Sequence, residues 1–288
     1  IVEIIVTDMP FLVDSVRMAL NKMGITAHLL LHCPIGLKRD EQHTFVSFED
    51  ANSKKKEVIR QTIILVEVDR QTSKLALTQL TEELMSVVND VSMAVLDWQP
   101  MRTRLRDIIE EFKSSKCPIS TEQKKQTENF LVWLNDHNFT LMGYRSYGAK
   151  GIKGDYRWVA DNDSSLGLMK NSKTDRDRVL SNIPASAREE ALSHNPLMLT
   201  KTNSRSRVHR PAYLDYVGIK RFDDEGKVIG EDRFIGLYSA SFYNSSATQL
   251  PVLQDKINAI SKLSGFDPDS HGHKAFLNII ETYPRDEL

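Results

Sequence analysis

The sequence predicts an α+β protein made of two successive bodies of mixed helix and sheet. Its first half alternates β-branched strand segments with amphipathic helices, and its second half places several strands between terminal helices. The chain has 288 residues, of which 40% are hydrophobic and 27% charged, values typical of a globular protein with one or two cores. We therefore predict a two-layer sandwich followed by an antiparallel sheet of five strands with helices at both ends.

The first half begins with a buried strand and an amphipathic helix. Residues 1–7 are apolar and β-branched, and Leu12, Val16, Ala19 and Leu20 then recur at helical spacing. The helix is predicted over 11–23, with Gly24 at its C-terminal end. Further strands are predicted at 26–35, 44–49 and 62–68.

A long helix follows these strands. Its apolar stripe consists of Leu77, Leu80, Leu84, Val87, Val91 and Val95. The pattern indicates a helix packed on a sheet, with a coiled coil as the alternative. Pro100 interrupts the helix, and a second apolar stripe resumes at 101–112. The polar segment before residue 121 is the predicted boundary between domains 1–113 and 121–288.

The second half opens with a helix in which Phe130, Leu131 and Leu134 face inward. Strands are predicted at 139–147, 156–160, 197–207, 213–222 and 233–242, with glycines 148, 151 and 154 in the first hairpin turn. Residues 164–178 are predicted to be irregular and 184–194 to form a short helix. Two helices, at 251–263 and 271–282, complete the prediction.

The sequence lacks the motifs that mark several common kinds of site. It contains no GxGxxG or GxxxxGK[ST] motif, no HExxH motif and no GxSxG motif. Cys33 and Cys117 fit no metal or redox spacing. We therefore predict no catalytic residue, no bound cofactor and no metal in this chain. The net charge of −1 and the lack of an apolar run of about 18 residues favour neither nucleic acid nor membrane as a partner.

The first candidate site is the strand-to-helix turn that contains Asp8, Pro10, Phe11 and Asp14. A helix N-terminus offers free N–H groups and a favourable dipole to an anion, so the turn could hold the carboxylate of a small amino acid. The favoured alternative is that Asp8 caps the helix with its own carboxylate.

The second candidate site is a basic segment that contains Lys201, Arg205, Arg207, His209 and Arg210. In a strand, Arg205, Arg207 and His209 would share one face and could bind phosphate, carboxylate or RNA. The favoured alternative is a solvated face or an interdomain strip of salt bridges. The segment lacks the interleaved aromatic residues that RNA recognition uses.

Five segments resemble the large, bacterial-type NAD-specific glutamate dehydrogenases. They are residues 7–15 (TDMPFLVDS), 97–101 (DWQPM), 130–145 (FLVWL through FTLMGYR), 201–215 (KTNSRSRVHRPAYLD) and 281–288 (ETYPRDEL). They are spread from end to end, so the resemblance covers nearly the whole chain. The chain also starts inside a predicted strand without an initiator Met, and we expect it to be a segment of a longer protein.

The resemblance implies an ACT-like, ferredoxin-like sandwich followed by a PAS-like domain. It further implies a multidomain cytoplasmic parent that deaminates L-glutamate oxidatively with NAD. The predicted partners are the downstream catalytic domain, further copies of the same protein and a small amino-acid effector. We therefore expect a non-catalytic regulatory or assembly region. The alternatives are an amino-acid sensor and, less favoured, an anion- or RNA-binding module.

Two features depart from the pattern of ligand-binding ACT domains. Those domains commonly have Gly directly after the Pro of the strand-to-helix turn, where this sequence has Phe11. A strand is also expected after the second helix, where this sequence continues into more helix. Both departures count against ligand binding at the turn and make a purely architectural role in assembly a competing interpretation.

Overall fold

A computed structural model describes residues 1–42, 44–150, 157–171, 178–179 and 185–283. Its contacts group the chain into two compact units. Unit 1 consists of Ile1–Leu96 and Ser204–Tyr213, and unit 2 of Asp97–Asn203 and Leu214–Leu288.

Unit 1 contains a four-stranded antiparallel sheet and two helices. In chain order these are β1 (Val2–Thr7), α1 (Leu12–Lys22), β2 (Ala27–Arg39), β3 (Phe45–Glu49), β4 (Val58–Val68) and α2 (Lys74–Leu96). The sheet order is β1-β4-β2-β3. All predicted elements of this half are confirmed, with β2 extending four residues further and β4 starting four residues earlier than predicted.

The two helices of unit 1 bury the predicted apolar faces. Helix α1 buries Leu12, Val16, Ala19 and Leu20, and it is followed by Gly24 with φ of +70°, as expected for a glycine beyond a helix end. Helix α2 contacts α1. The buried stripe of α2 starts at Leu80 and includes Ala94, so the prediction was wrong at Leu77, which is 48% exposed.

Unit 2 contains the other elements, except for the last two residues of β8 and the first residue of β9, which belong to unit 1. Its helices are α3 (Trp98–Ser114), α4 (Thr121–Trp133), α5 (Ala185–Leu192), α6 (Ala240–Asn244), α7 (Pro251–Ser264) and α8 (His271–Thr282). The strands of the second sheet are β5 (Phe139–Lys150), β6 (Arg157–Gly167), β7 (Arg178–Val179), β8 (Leu197–Arg205), β9 (Tyr213–Phe222) and β10 (Val228–Tyr238). Their order is β7-β6-β5-β10-β9-β8.

Several predictions for the second half need correction. The described sheet has six strands rather than five. Residues 164–167, predicted to be irregular, continue β6, and a short helical turn follows at Leu168–Asn171. Strand β10 begins at Val228 and ends before helix α6, whereas 233–242 was predicted as strand. Residues 151 and 154 of the predicted hairpin turn, residues 172–177 and residue 184 lie outside the described residues.

Helices α3 and α4 pack in the main core of unit 2. Met101 and Leu105 of α3 are buried with Leu131 of α4 and with Val217 and Phe234 of the sheet. Pro100 lies in the first turn of α3, where a missing N–H is harmless. The predicted boundary before residue 121 remains a prediction, and in the structure the helix that precedes it belongs to unit 2.

Among the described residues, helix α2 leads directly into α3, and the first sheet gains no strand after α2. None of the described helices combines the length and the apolar character that crossing a bilayer requires.

Candidate functional site

One residue of the second candidate site, His209, lies against the first candidate site at the N-terminus of α1. The ring of His209 lies 4.7 Å from the ring of Phe11, centroid to centroid. The backbone N–H of His209 donates to Ser15 Oγ at 3.2 Å, and Ser15 Oγ donates to the carbonyl of Phe11 at 2.6 Å. The ring and the backbone of His209 therefore pack onto the turn where an amino-acid carboxylate was predicted to bind.

Both residues of this aromatic contact have left-handed backbones. The φ angle is 71° at Phe11 and 72° at His209. A residue with a Cβ atom is less stable there by about 1 kcal/mol. Their ring contact and the Ser15 hydrogen bonds offset this cost, so the turn and the His209 loop stabilise each other.

The favoured role of Asp8 as a helix cap was wrong. Helix α1 begins after Phe11 and has no side-chain cap. The Asp8 carboxylate instead lies 2.6 Å from Arg60 Nε of β4 and 3.7 Å from His32 Nε2 of β2. Asp14 lies 3.7 Å from Arg17 on the exposed side of α1. Asp8 therefore ties the turn to the sheet.

The predicted basic strand face was also wrong. Strand β8 ends at Arg205, so Arg207 and His209 lie beyond it and do not share a strand face with Arg205. The left-handed backbone of His209 is incompatible with a continuous strand.

Arg207 is held by the polar face of α2. Its Nη1 lies 2.8 Å from Asp90 Oδ2 and donates to Ser86 Oγ at 3.0 Å. Its Nη2 lies 3.2 Å from Glu83 Oε2. The guanidinium charge is thus compensated within unit 1.

The acidic partners of Arg207 are partly buried. Burial raises the pKa of Asp90, Arg207 lowers it, and the neighbouring Glu83 raises it again. Glu83 also lies 3.4 Å from Lys22 of α1. Glu83 therefore links α1 with Arg207.

The other basic residues of the segment are placed separately. Lys201 lies 2.6 Å from Asp215 in unit 2. Arg205 lies over the ring of Tyr213 at 4.9 Å. Arg210 is half-buried beside His209. Ligand binding by any of these residues remains a prediction, as it does for Asp8, Pro10, Phe11 and Asp14.

Unit 2 holds a buried charge network that the sequence analysis missed. Asp232 has no exposed surface, and its Oδ1 accepts a 2.6 Å hydrogen bond from the Tyr144 hydroxyl. Arg104 Nε donates to the same hydroxyl at 3.0 Å, and both ends of its guanidinium bind Glu111. Burial and the nearby Asp232 raise the pKa of Tyr144 well above its usual range.

A second buried pair lies next to this network in the sequence. Glu231 and Arg233 are 1% and 7% exposed, and Arg233 Nε donates to Glu231 Oε1 at 2.8 Å. The Arg233 guanidinium lies 3.7 Å from the Tyr147 ring centroid. Glu231, Asp232 and Arg233 are three consecutive charged residues in β10. Successive side chains of a strand point to opposite faces, so such a run places a charge on both faces of the sheet. This run was the available sign in the sequence of buried charges. Among the described residues, no three His, Cys, Asp or Glu side chains form a group that could hold a metal ion.

We predict that Phe11→Gly gives a more stable protein than Phe11→Ala. Both variants lose the contact with His209, but only Gly removes the cost of the left-handed backbone. The difference in the free energy of unfolding should be about 1 kcal/mol in favour of Gly. Urea denaturation of both variants measures it. Equal stability of the two would contradict the left-handed backbone at residue 11.

We predict that His209 makes the stability of unit 1 depend on pH. Burial and Arg210 lower the pKa of His209, whereas Asp14 raises it. A lowered pKa means that the fold favours the neutral ring. The stabilisation is therefore present above the ordinary histidine pKa of 6.5 and is lost as pH falls through the lowered value.

Thermal unfolding between about pH 7 and about pH 5 tests this dependence. The wild type should lose more stability than His209→Asn, since Asn tolerates a left-handed backbone and does not titrate in this range. His271→Asn, at an exposed histidine of α8, is the matched control and should keep the wild-type slope. An unchanged slope in His209→Asn would contradict the prediction.

Two models of known protein families match the two ends of the chain. The family model described as "Glutamate dehydrogenase, ACT1 domain" matches residues 1–84, and "Glutamate dehydrogenase, helical motif 1" matches residues 250–288. The first match covers the sheet and much of α2 in unit 1, and the second includes α7 and α8. The ACT prediction for the first half is thereby confirmed.

Curated relatives match almost the whole chain. The NAD-specific glutamate dehydrogenase of Halomonas elongata is 34% identical over 283 residues, which are 98% of this chain and 18% of that protein. The Pseudomonas aeruginosa protein of the same name is 33% identical over 289 residues, covering 100% of this chain and 18% of the relative. The Mycobacterium tuberculosis protein is 23% identical over 279 residues, 96% and 16% of the two chains.

The chain thus spans less than a fifth of the length of these relatives. The two family models and the relatives agree on one enzyme family. The chain belongs to the NAD-specific glutamate dehydrogenase family and corresponds to part of its N-terminal region.

Proposed function

We propose that this chain is a non-catalytic regulatory and assembly region of an NAD-dependent glutamate dehydrogenase. The parent enzyme would convert L-glutamate, NAD⁺ and water to 2-oxoglutarate, ammonium, NADH and a proton in the cytoplasm. Its partners would be the catalytic domain of the same chain and further copies of the enzyme. NAD would bind the catalytic domain.

The match to an ACT1 domain carries the proposal. The sequence also lacks the glycine motif with which a strand-turn-helix unit holds a dinucleotide. Relatives more than five times as long leave ample chain for a separate dehydrogenase domain.

We further propose that unit 2 is a PAS-like domain. Its antiparallel sheet, with α3 and α4 packed in one core with it, supports this assignment. The limits of 1–113 and 121–288 stay a prediction, and the PAS-like proposal applies to unit 2 with α3 included. In this proposal, the buried pairs Tyr144–Asp232 and Glu231–Arg233 stabilise the sheet of unit 2.

The contacts at the turn favour assembly over amino-acid sensing by α1. The rings of Phe11 and His209 pack together at the predicted effector position. The RNA-binding alternative is disfavoured because Arg207 is neutralised by Asp90 and Glu83. We therefore propose that the segment Ser204–Tyr213 braces unit 1.

An activity assay tests the non-catalytic role. The 288-residue chain is incubated with L-glutamate and NAD⁺, and NADH is followed by its absorbance, with the full-length enzyme as the positive control. We expect no turnover by the chain alone. Sustained NADH formation by the purified chain would overturn the proposal.

A variant of the full-length enzyme tests the regulatory and assembly role. Arg207→Ala weakens the Ser204–Tyr213 brace, while the exposed Arg17→Ala leaves it intact. We expect Arg207→Ala to change the oligomeric mass or the response to amino acids, with unchanged NAD⁺ affinity. Wild-type behaviour in mass and response, despite a proven loss of stability, would contradict this role.

A further inference from the structure

A small cavity opens within unit 2 beside the buried charge network. It measures about 190 Å³ and lies between the C-terminal half of α3 and strands β9 and β10. Apolar side chains of Ile108, Phe112 and Ile219 line it, together with the charged residues Glu111, Lys220, Arg221 and Asp232. Glu111 already accepts hydrogen bonds from Arg104, and Lys220 Nζ already donates to the carbonyls of Glu190 and Ser193. A water molecule occupies about 30 Å³ in the liquid, so the cavity has room for more than one water.

The cavity presents a buried hydrogen-bond acceptor that is not satisfied. Asp232 is fully buried, and its Oδ1 is used by Tyr144. Its Oδ2 accepts no hydrogen bond from any described residue. Buried polar atoms without a partner are rare in proteins, so such an atom on a cavity wall points to a ligand or water that supplies a donor.

The cavity also presents an unsatisfied donor. Arg221 Nη2 donates to the carbonyl of Tyr147 at 2.8 Å. Its Nε is buried and donates to no described residue, and it lies 3.6 Å from an Asp232 carboxylate oxygen. The pair is close enough for charge attraction but too long for a hydrogen bond.

The two unsatisfied groups select the chemistry of the ligand. A simple cation would satisfy Asp232 and repel Arg221, and a simple anion would do the reverse. A ligand with an ammonium next to a carboxylate satisfies both. We propose that this cavity binds a small α-amino acid, with its ammonium on Asp232 Oδ2, its carboxylate on Arg221 Nε and its carbon atoms against Ile108 and Phe112.

This site is distinct from the effector position predicted at the N-terminus of α1. The binding proposal also stands apart from the regulatory role, because binding is measured on the chain itself and does not require an effect on the dehydrogenase. If no amino acid bound, the proposed non-catalytic role would still stand on the NADH assay. If the chain formed NADH, the proposed amino-acid site could still be tested by binding.

Calorimetric titration of the 288-residue chain with each standard amino acid tests the proposal. We expect at least one small amino acid to bind, whereas acetate and methylamine bind more weakly. Asp232→Asn keeps an acceptor for Tyr144 but turns a donor toward the cavity. We expect it to lower the affinity about tenfold or more. The matched control is Asp107→Asn on the exposed side of α3, which should bind as the wild type does.

A second variant keeps the test decisive if Asp232→Asn fails to fold. Ile229→Trp enlarges a side chain that lines the cavity and is 44% exposed, and it should block binding without disturbing the fold. Three outcomes would overturn the proposal. They are no binding of any amino acid at millimolar concentration, equal binding of methylamine or acetate, and unchanged affinity in a folded Ile229→Trp variant.

Discussion

Asp232→Ala is expected to lower the free energy of unfolding of unit 2 by about 3 kcal/mol, because it breaks a buried ion-pair network. The carboxylate is fully buried and accepts the Tyr144 hydroxyl. Arg104 Nη2 and Arg221 Nε each lie 3.6 Å from it. The variant leaves a buried hydroxyl without its acceptor and two cations without their shared counter-charge.

The size of this effect follows from what remains after the substitution. Glu111 still binds Arg104 at two positions, so that guanidinium stays partly compensated. Arg221 keeps its bond to the Tyr147 carbonyl. The loss is therefore expected near the lower end of the range of about 3–5 kcal/mol for broken buried pairs.

Tryptophan fluorescence during urea denaturation measures the effect. The three tryptophans of the sequence, Trp98, Trp133 and Trp158, all lie in unit 2. The control Asp224→Ala removes an exposed aspartate that lies 3.1 Å from Lys116 and should change stability by less than about 0.5 kcal/mol. Similar losses in both variants would show that the Asp232 network does not stabilise the unit.

Local patterns of the sequence were sufficient to predict most elements. The spacing of Leu12, Val16 and Leu20 identified α1, because only a helix brings those positions to one face. Gly24 marked the end of that helix for a steric reason that does not depend on the rest of the fold. Strand β9 was predicted with the bounds that the structure gives.

Tertiary contacts decided where the predictions failed. Arg207 and His209 continue an extended pattern in the sequence, yet β8 ends before them and His209 packs on Phe11. The partners Glu83 and Asp90 lie seven residues apart and therefore on one face of α2, but nothing local pairs them with a residue more than a hundred positions away. The Asp232 network is likewise assembled from α3, β5, β9 and β10.

Arg207→Ala is the second substitution for which we expect a large effect, a loss of about 2 kcal/mol in the stability of unit 1. The estimate lies below that for Asp232 because the Arg207 side chain is 33% exposed and its partners Asp90 and Glu83 are 17% and 25% exposed. Solvent screens part of their mutual attraction. The variant leaves two neighbouring carboxylates on α2 without their common cation.

The repulsion between these carboxylates gives the prediction a second, independent test. Burial raises the pKa of Asp90, whereas Arg207 lowers it, so removal of Arg207 raises that pKa further. A raised carboxyl pKa stabilises the fold at low pH and loses that contribution as pH rises. The deficit of Arg207→Ala should therefore shrink as pH falls toward the pKa of Asp90.

A double-mutant cycle separates this pair from the other contacts of Arg207. If Asp90 and Arg207 interact, Arg207→Ala combined with Asp90→Asn should be more stable than the sum of the two single changes predicts. Hydrogen exchange of Ser204–Tyr213 should increase in Arg207→Ala and stay at the wild-type level in Arg17→Ala, whose side chain is 64% exposed. Additive losses and unchanged exchange would mean that the ring contact of Phe11 with His209, rather than the ion pairs on α2, holds this segment in unit 1.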